Sequence, residues 1–330
     1  MDTTFLGRTG IRVSRLCLGT MPFGNEVDEP LAARLFARAR EAGINHFDCA
    51  DVYQQGRSEV ILGRLIAPCR DQVVIATKAY FPTGAGPNDR GGSRYHLVRA
   101  VEASLRRLAT DRIDLFYLHR FDDRTDLDET ARALEDLVRQ GKILHPAASN
   151  FAAWQAMKLL GIQARAGAQP LAAIQPMYNL AKRQVEVELL PMAASEGLAV
   201  FPYSPLGGGL LSGRYGEGER PGDGRLVVNK MYAVRYADAR NYTIADGLRR
   251  IAAREGVHPA SLAIAWVAAH PAVTAPILGV RSIPHLEVAL AAVDVAMSDA
   301  LRDEIAGLSP APPPATDRNE ETSAHNYGSR

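Results

Sequence analysis

Three short apolar runs, at residues 44–47, 73–77 and 113–118, each give way to one ionisable residue: Asp48, Lys78 and His119. Tyr53 follows Asp48 by five residues. A phenol, whose pKa is ordinarily about 10, is a useful general acid only when its anion is stabilised. A neighbouring ammonium does that, because opposite charge favours the phenolate. The ammonium in turn needs a carboxylate to be held in an apolar layer. Asp48 and Lys78 can form such a pair, with Tyr53 as the group they tune, and His119 can donate a hydrogen bond that fixes a substrate oxygen. The four together suit protonation of the alkoxide that develops as a carbonyl is reduced, with the hydride supplied by a nicotinamide cofactor. Singly, an Asp or His at a strand end is more often a satisfied polar group, and a tyrosine more often packing. The joint placement on successive runs favours chemistry.

Residues that close successive strands meet only if the strands are parallel and share one mouth, as at the C-terminal ends of a barrel. From residue 16 onward the chain alternates short buried-strand patterns with amphipathic helical ones. Strands are predicted at 16–19, 44–47, 73–77, 113–118, 143–148, 171–174, 198–203 and 273–278, and helices at 30–41, 58–65, 94–108, 128–140, 152–166 and 187–195. Gly43, Gly141, Gly167 and Gly197 stand just past helix ends, where a left-handed residue is wanted. Eight such units predict an α/β fold, a (β/α)8 TIM barrel. An open doubly wound sheet is the alternative, but the Gly-x-Gly-x-x-Gly turn that usually follows its first strand is absent.

Residues 5–13 read as a β-hairpin that plugs the barrel bottom. After the seventh strand, residues 207–241 are rich in Gly, Arg and Tyr and too long for a plain connector, which marks a lid or binding loop. Helices at 242–255 and 259–270 follow it. Pro146 falls within the fifth strand, where it cannot donate a ladder hydrogen bond, so either the strand is irregular there or its boundary lies elsewhere. One domain is expected over residues 1–308, and residues 309–330, with Pro312-Pro313-Pro314, read as a Pro-rich polar tail.

Bulk properties narrow the function. A net charge of +1 without a dense basic block argues against nucleic acid or an anionic membrane as partner. Cys17, Cys49 and Cys69 are scattered, with neither a disulfide framework nor metal-ligand spacing, which suits a reducing cytosol. No apolar stretch is long enough to span a bilayer and no signal peptide is evident, so a cytoplasmic protein is expected. Only five of the basic residues are lysine, which makes Lys78 at the end of an apolar run stand out.

At these residues the chain resembles a known family. The segment Phe47-Asp48-Cys49-Ala50-Asp51-Val52-Tyr53, with Gly56 and Ser58-Glu59 behind it, resembles the aldo-keto reductases. So do Thr77-Lys78, the run from Asp114 to His119, Ser149-Asn150-Phe151, Leu6-Gly7-Arg8-Thr9-Gly10, Gly19-Thr20-Met21 and Tyr203-Ser204-Pro205-Leu206 with Gly209 and Leu211-Ser212-Gly213. The likeness covers residues 3 to 308 and looks nearest a longer bacterial branch related to potassium-channel β subunits and sugar-type members. It implies a barrel that binds NADPH across its mouth. It also implies Tyr53 as general acid, Lys78 and Asp48 as its tuning pair, and His119 as the donor that orients the carbonyl.

By the same resemblance Gly19, Thr20 and Met21 would border the cofactor, Ser149, Asn150 and Gln175 would hold its carboxamide, and Tyr203 would stack on the nicotinamide. The backbone of Ser204, Pro205, Leu206 and Gly209 would wrap the pyrophosphate, with Ser212 and Arg214 nearby. The adenosine end would fall on Gly279, Arg281 and His285, and Arg281 could grip a 2′-phosphate, which favours NADPH over NADH. The chain departs from the family pattern at His285, Val288 and Ala289, so adenine contacts are expected to be made differently. Two further readings stay open: an NADPH-binding redox-sensing subunit with slow turnover, and a sugar or secondary-alcohol dehydrogenase running in the oxidative direction. Expected partners are a small-molecule carbonyl substrate and, as an open alternative, further copies of the chain in a homo-oligomer. No metal is expected. Phe23, Tyr80, Phe81, Phe121 and the loop from Tyr215 to Tyr242 are expected at the pocket rim.

Overall fold

The chain starts as an antiparallel hairpin, β1 (Thr3–Phe5) and β2 (Arg12–Ser14), paired from Thr3 against Ser14 to Phe5 against Arg12. A computed structural model describes residues 1–318 and 320. Behind the hairpin lie eight parallel strands: β3 (Cys17–Gly19), β4 (His46–Asp48), β5 (Val74–Ala79), β6 (Ile113–Leu118), β7 (Ile143–Ser149), β8 (Ala173–Gln175), β9 (Ala199–Val200) and β10 (Ile277–Gly279). They pair in chain order, with β10 beside β3. Thr274 N donates to Val200 O at 2.9 Å and Ile277 N to Pro202 O at 2.8 Å, which closes the sheet between its last two members. The fold is the (β/α)8 barrel.

Helices α1 (Glu29–Glu41), α2 (Arg57–Ile66), α3 (Arg94–Leu108), α4 (Leu127–Arg139), α5 (Ala153–Ala166) and α6 (Leu189–Glu196) connect the strands. Their starts follow from local chemistry. Asp28 Oδ1 accepts from Leu31 N at 2.9 Å to cap α1, and Ser93 Oγ accepts from His96 N at 3.2 Å to cap α3. The long segment after β9 is not plain loop. It carries two short helices, α7 (Arg225–Val228) and α8 (Lys230–Arg235), before α9 (Arg240–Arg254) and α10 (Pro259–Ala268). Two helices unforeseen in the sequence, α11 (Ile283–Leu290) and α12 (Asp299–Ala306), follow β10. Of the tail expected at 309–330, residues 319 and 321–330 lie outside the described residues.

Strand alternation sorts the side chains into two apolar bodies. Phe47, Ile75, Phe116, Leu118 and Ile174 point outward into the shell beneath the helices. Val74, Ala76, Leu115, Tyr117, Ala147, Ala173, Ala199 and Phe201 point inward and fill the lumen. Ala147, Ala173 and Ala199 stand level with one another, so three small side chains leave room for the rings of Tyr117 and Phe201. Leu6 and Val13 of the hairpin are fully buried in this interior cluster and close its lower end. Gly7 makes that fit possible: its φ is +54°, and a Cβ there would lie 2.7 Å from Gly197 O.

Pro146 does sit inside β7, opposite Phe116. Its carbonyl accepts from Ala172 N at 2.9 Å, so the residue faces β8, whose ladder with β7 starts only at the next pair, Ala147 with Ala173. The missing donor therefore falls just below the first rung.

Candidate active site

The inward alternation of β4 and β5 carries Asp48 and Lys78 to the top of the lumen. Both are buried, Lys78 completely. An ammonium has three hydrogens. Here they go to Asp48 Oδ2 at 2.6 Å, Cys49 O at 2.7 Å and Tyr53 Oη at 3.3 Å. Asp48 Oδ1 accepts from Gln175 Nε2 at 2.8 Å, so each carboxylate oxygen has a donor. His119 follows β6, its ring edge-on to Tyr53 with centroids 6.0 Å apart. The four residues expected to do chemistry thus share one mouth.

Tyr53 is aimed by a strained turn. Gln54 and Gln55 have φ of 50° and 56°, left-handed values uncommon for residues with a side chain, and Gly56 has φ 87°. Gln54 Nε2 donates to Met21 O at 3.1 Å, tying the turn to the loop after β3. Behind it, Ser58 Oγ donates to Thr20 O at 2.8 Å. The fully buried Glu59 accepts from Thr77 Oγ1 and from Arg107 Nε, both at 2.6 Å. Ser58 and Glu59 therefore brace the turn that holds the phenol.

A second network joins the residues expected around a carboxamide. Ser149 Oγ donates to Gln175 O at 3.0 Å. Asn150 Nδ2 donates to Ser149 Oγ at 3.1 Å and to His119 O at 2.9 Å, and Asn150 Oδ1 accepts from Tyr203 Oη at 2.7 Å. Gly19 ends β3, and Thr20 N and Oγ1 both donate to Asp48 O, at 2.9 and 3.1 Å. Ser204 has φ 55°, and its carbonyl accepts from Asn179 Nδ2 at 3.0 Å and from Gly207 N at 2.9 Å. Pro205 is buried and Leu206 half-buried in that turn, and Ser212 N donates to Gly209 O at 3.1 Å.

Further along the mouth, Gly279 ends β10 and Arg281 pairs with Glu26 at 3.6 Å. Arg214 pairs with Asp223 at 2.5 Å. His285, in α11, is near enough to Arg281 and Arg214 that, after burial, both charges lower its pKa. The residues expected at an adenosine end therefore gather in one place. Part of the expected rim does not. Phe23 is fully buried in the helix-side core, and Tyr215, Tyr232 and Tyr236 are buried beneath the segment that carries them.

The electrostatics favour a protonated phenol and a neutral imidazole. Burial pushes the Tyr53 phenol up to about 12, with Lys78 pulling it down without cancelling the rise. The relief expected from the ammonium is present, but burial outweighs it. Burial alone would lower the Lys78 pKa; Asp48 and Tyr53 more than reverse this, and the amine stays charged. Burial, helped by the charge of Lys78, holds His119 well below the usual imidazole value. Asp51, beside the Tyr53 turn, is buried with both carboxyl oxygens unpartnered, and burial together with Glu59 raises it to about 8.

Sequence reasoning passed over Asn179, Asp51 and Glu26. Asn179 is a polar residue just beyond β8 and fully buried, and the strand-end logic that singled out Asp48, Lys78 and His119, extended to the strand predicted at 171–174, is the signal that could have found it. Glu26 pairs with both Arg281 and Arg225 from an irregular loop, where no spacing announces it. Among the described residues no cluster of three or more His, Cys, Asp or Glu could hold a metal ion, and no helix is long and apolar enough to cross a membrane.

Residues 15–309 match the model of the aldo/keto reductase family. The chain is 38% identical over 323 residues to an uncharacterized oxidoreductase, YrpG, of Bacillus subtilis (strain 168), covering 94% of this chain and 97% of that protein. It is 37% identical over 302 residues to a probable voltage-gated potassium channel subunit beta of Oryza sativa subsp. japonica, 88% of this chain and 90% of that one. It is also 31% identical over 331 residues to versiconal hemiacetal acetate reductase of Aspergillus parasiticus, 90% and 94% of the two chains.

Proposed function

The chain belongs to the aldo/keto reductase family, and from that premise we propose that it reduces an aldehyde or ketone to the alcohol with NADPH, Tyr53 giving the proton. The observation that carries the proposal is the seat of Lys78 Nζ between the Asp48 carboxylate, 2.6 Å away, and the Tyr53 oxygen, 3.3 Å away. When bound, NADPH supplies the hydride to the carbonyl carbon. Tyr53 stays protonated at neutral pH because burial opposes its ionisation. Its proton passes to the carbonyl oxygen as negative charge develops there, and the Lys78 ammonium stabilises the phenolate left behind. Asp48 keeps that ammonium charged and in place. His119, neutral in its buried setting, orients the carbonyl by donating a hydrogen bond rather than by giving up a net proton.

The residues present fit a dinucleotide. Ser204, Gly207, Gly208 and Gly209 all have positive φ, so the chain turns tightly there, and a Cβ on Gly209 would meet nothing within 4 Å, which leaves its backbone open to close approach by a ligand. Arg214 and Arg281 stand further along, where a 2′-phosphate is a stronger partner for a guanidinium than the loosely placed Glu26. Arg281→Ala is expected to raise the KM for NADPH far more than that for NADH; equal effects would refute the phosphate contact.

The test is NADPH oxidation with a panel of small aldehydes and ketones. Sustained turnover is expected, falling about a hundred- to ten-thousand-fold in Tyr53→Phe while NADPH affinity holds. Retained activity in that variant contradicts the role given to Tyr53. Similarity to a channel β subunit supports a second reading, a cofactor-holding sensor. Such a protein would oxidise about one equivalent of NADPH and stall.

A further inference from the structure

The level of the lumen that holds Lys78 is built almost entirely of small side chains. Its register partners on the next four strands, from β6 to β9, are Tyr117, Ala147, Ala173 and Ala199. Of these, Tyr117 alone reaches past Cβ. Tyr117 is fully buried, and its ring centroid lies 6.0 Å from Lys78 Nζ, against 4.9 Å for the ring of Tyr53. The ammonium therefore has two tyrosine rings beside it, and the mechanism uses only one of them.

The two parts of Tyr117 are unequally placed to act. Its hydroxyl has no hydrogen-bond partner and so fixes nothing. Its ring presents the negative face that attracts a cation, and that attraction grows where water is excluded. Lys78 meets the condition, being wholly buried with its hydrogens directed to Asp48, Cys49 and Tyr53. An aliphatic residue at 117 would remove the ring and, among three alanines, leave space beside the ammonium. The flexible lysine stem could then settle toward Asp48, already the nearer partner at 2.6 Å, and away from the Tyr53 oxygen at 3.3 Å.

We propose, on the basis of the reductase reading above, that Tyr117 is a positioning residue whose ring keeps the Lys78 ammonium where it can stabilise the Tyr53 phenolate. It acts through Lys78 and has no part of its own in proton transfer. The ring carries this role and the hydroxyl does not.

The test compares wild type with Tyr117→Leu, Tyr117→Met and Tyr117→Phe. Loss of the ring in the first two should lower kcat about tenfold, the worth of one desolvated cation–π contact, with KM and NADPH affinity held. Tyr117→Phe restores the ring without the hydroxyl and should recover the rate. Equal losses in all three, or no loss in any, overturn the proposal. In a Lys78→Met background Tyr117→Leu should cost nothing further, because the ammonium it positions is gone. A loss that still multiplies there marks Tyr117 as core filling alone and also overturns the proposal. Heteronuclear NMR of the lysine ammonium groups gives a readout without turnover. The chain has five lysines and Lys78 is the buried one, so one slowly exchanging signal is expected. That signal should persist in Tyr117→Phe and exchange faster in Tyr117→Leu as water reaches the amine; an unchanged signal in Tyr117→Leu overturns the proposal. If no carbonyl is reduced yet the signal behaves as expected, the reductase reading falls and the contact of Tyr117 with Lys78 stands.

Discussion

Lys78 has no hydrogen left for water, because Asp48, Cys49 and Tyr53 take all three. Its neighbour Asp51 is in the opposite condition, buried with nothing to accept from, and stays protonated up to about pH 8. In the unfolded chain the same carboxyl ionises near 3.9. Between those values the folded chain binds the extra proton, so the Asp51 contribution, complete below about 3.9, is lost as pH rises through about 8. Asp51→Asn cannot ionise and should gain stability over wild type progressively across that window, read as a melting temperature that diverges with rising pH. A constant difference at every pH would show that folding does not raise the Asp51 pKa. At this scale Asp48, Lys78 and His119 were legible in the sequence because each ends an apolar run. Asp51 was not, because its environment is made by α2 and α3, through Glu59 and Arg107.

Among elements, the barrel units were legible from periodicity and punctuation, and α3 spans the predicted residues 94–108. The short helices α7 and α8 were not, since four and six residues carry too little pattern and take their form from what they cover. Tyr232 of α8 lies over Gly208, where a Cβ would come within 2.4 Å of its ring and φ is +70°. Tyr236 is fully buried and accepts from Asn179 Nδ2 at 3.0 Å. Gly208→Ala should therefore lift this segment from the Ser204–Gly209 turn, weaken NADPH binding and cost about 1–2 kcal/mol in strain alone. Faster proteolysis within residues 225–235 is the readout. Unaltered cleavage and cofactor affinity would mean that the contact does not hold the segment.

For the whole molecule, the lumen is expected to contribute to acid sensitivity through His46. His46 lies inside it, edge-on to Phe201 at 4.5 Å, with both ring nitrogens unpartnered. Burial, with some help from Lys78, pushes its pKa down to about 3. An unfolded chain takes up that proton below about 6.5. Stability from His46 is thus complete above that value and is lost as pH falls toward about 3. His46→Leu should flatten the difference between unfolding free energies measured at about pH 7 and about pH 4.5. An undiminished difference would place the acid sensitivity elsewhere. The same lumen explains why the closed barrel could be read in the sequence while its polar interior could not: alternation reports which way a residue points, not whether it finds a partner there.

On the proposed mechanism Lys78 acts on the reaction through Tyr53, and a double-mutant cycle on kcat/KM separates that role from a direct one. Tyr53→Phe, Lys78→Met and the double variant are compared, with NADPH binding as the check that each is folded. The double variant should be no slower than Tyr53→Phe alone, since an ammonium with no phenol to stabilise has nothing left to do. Losses that multiply across the two substitutions would contradict it.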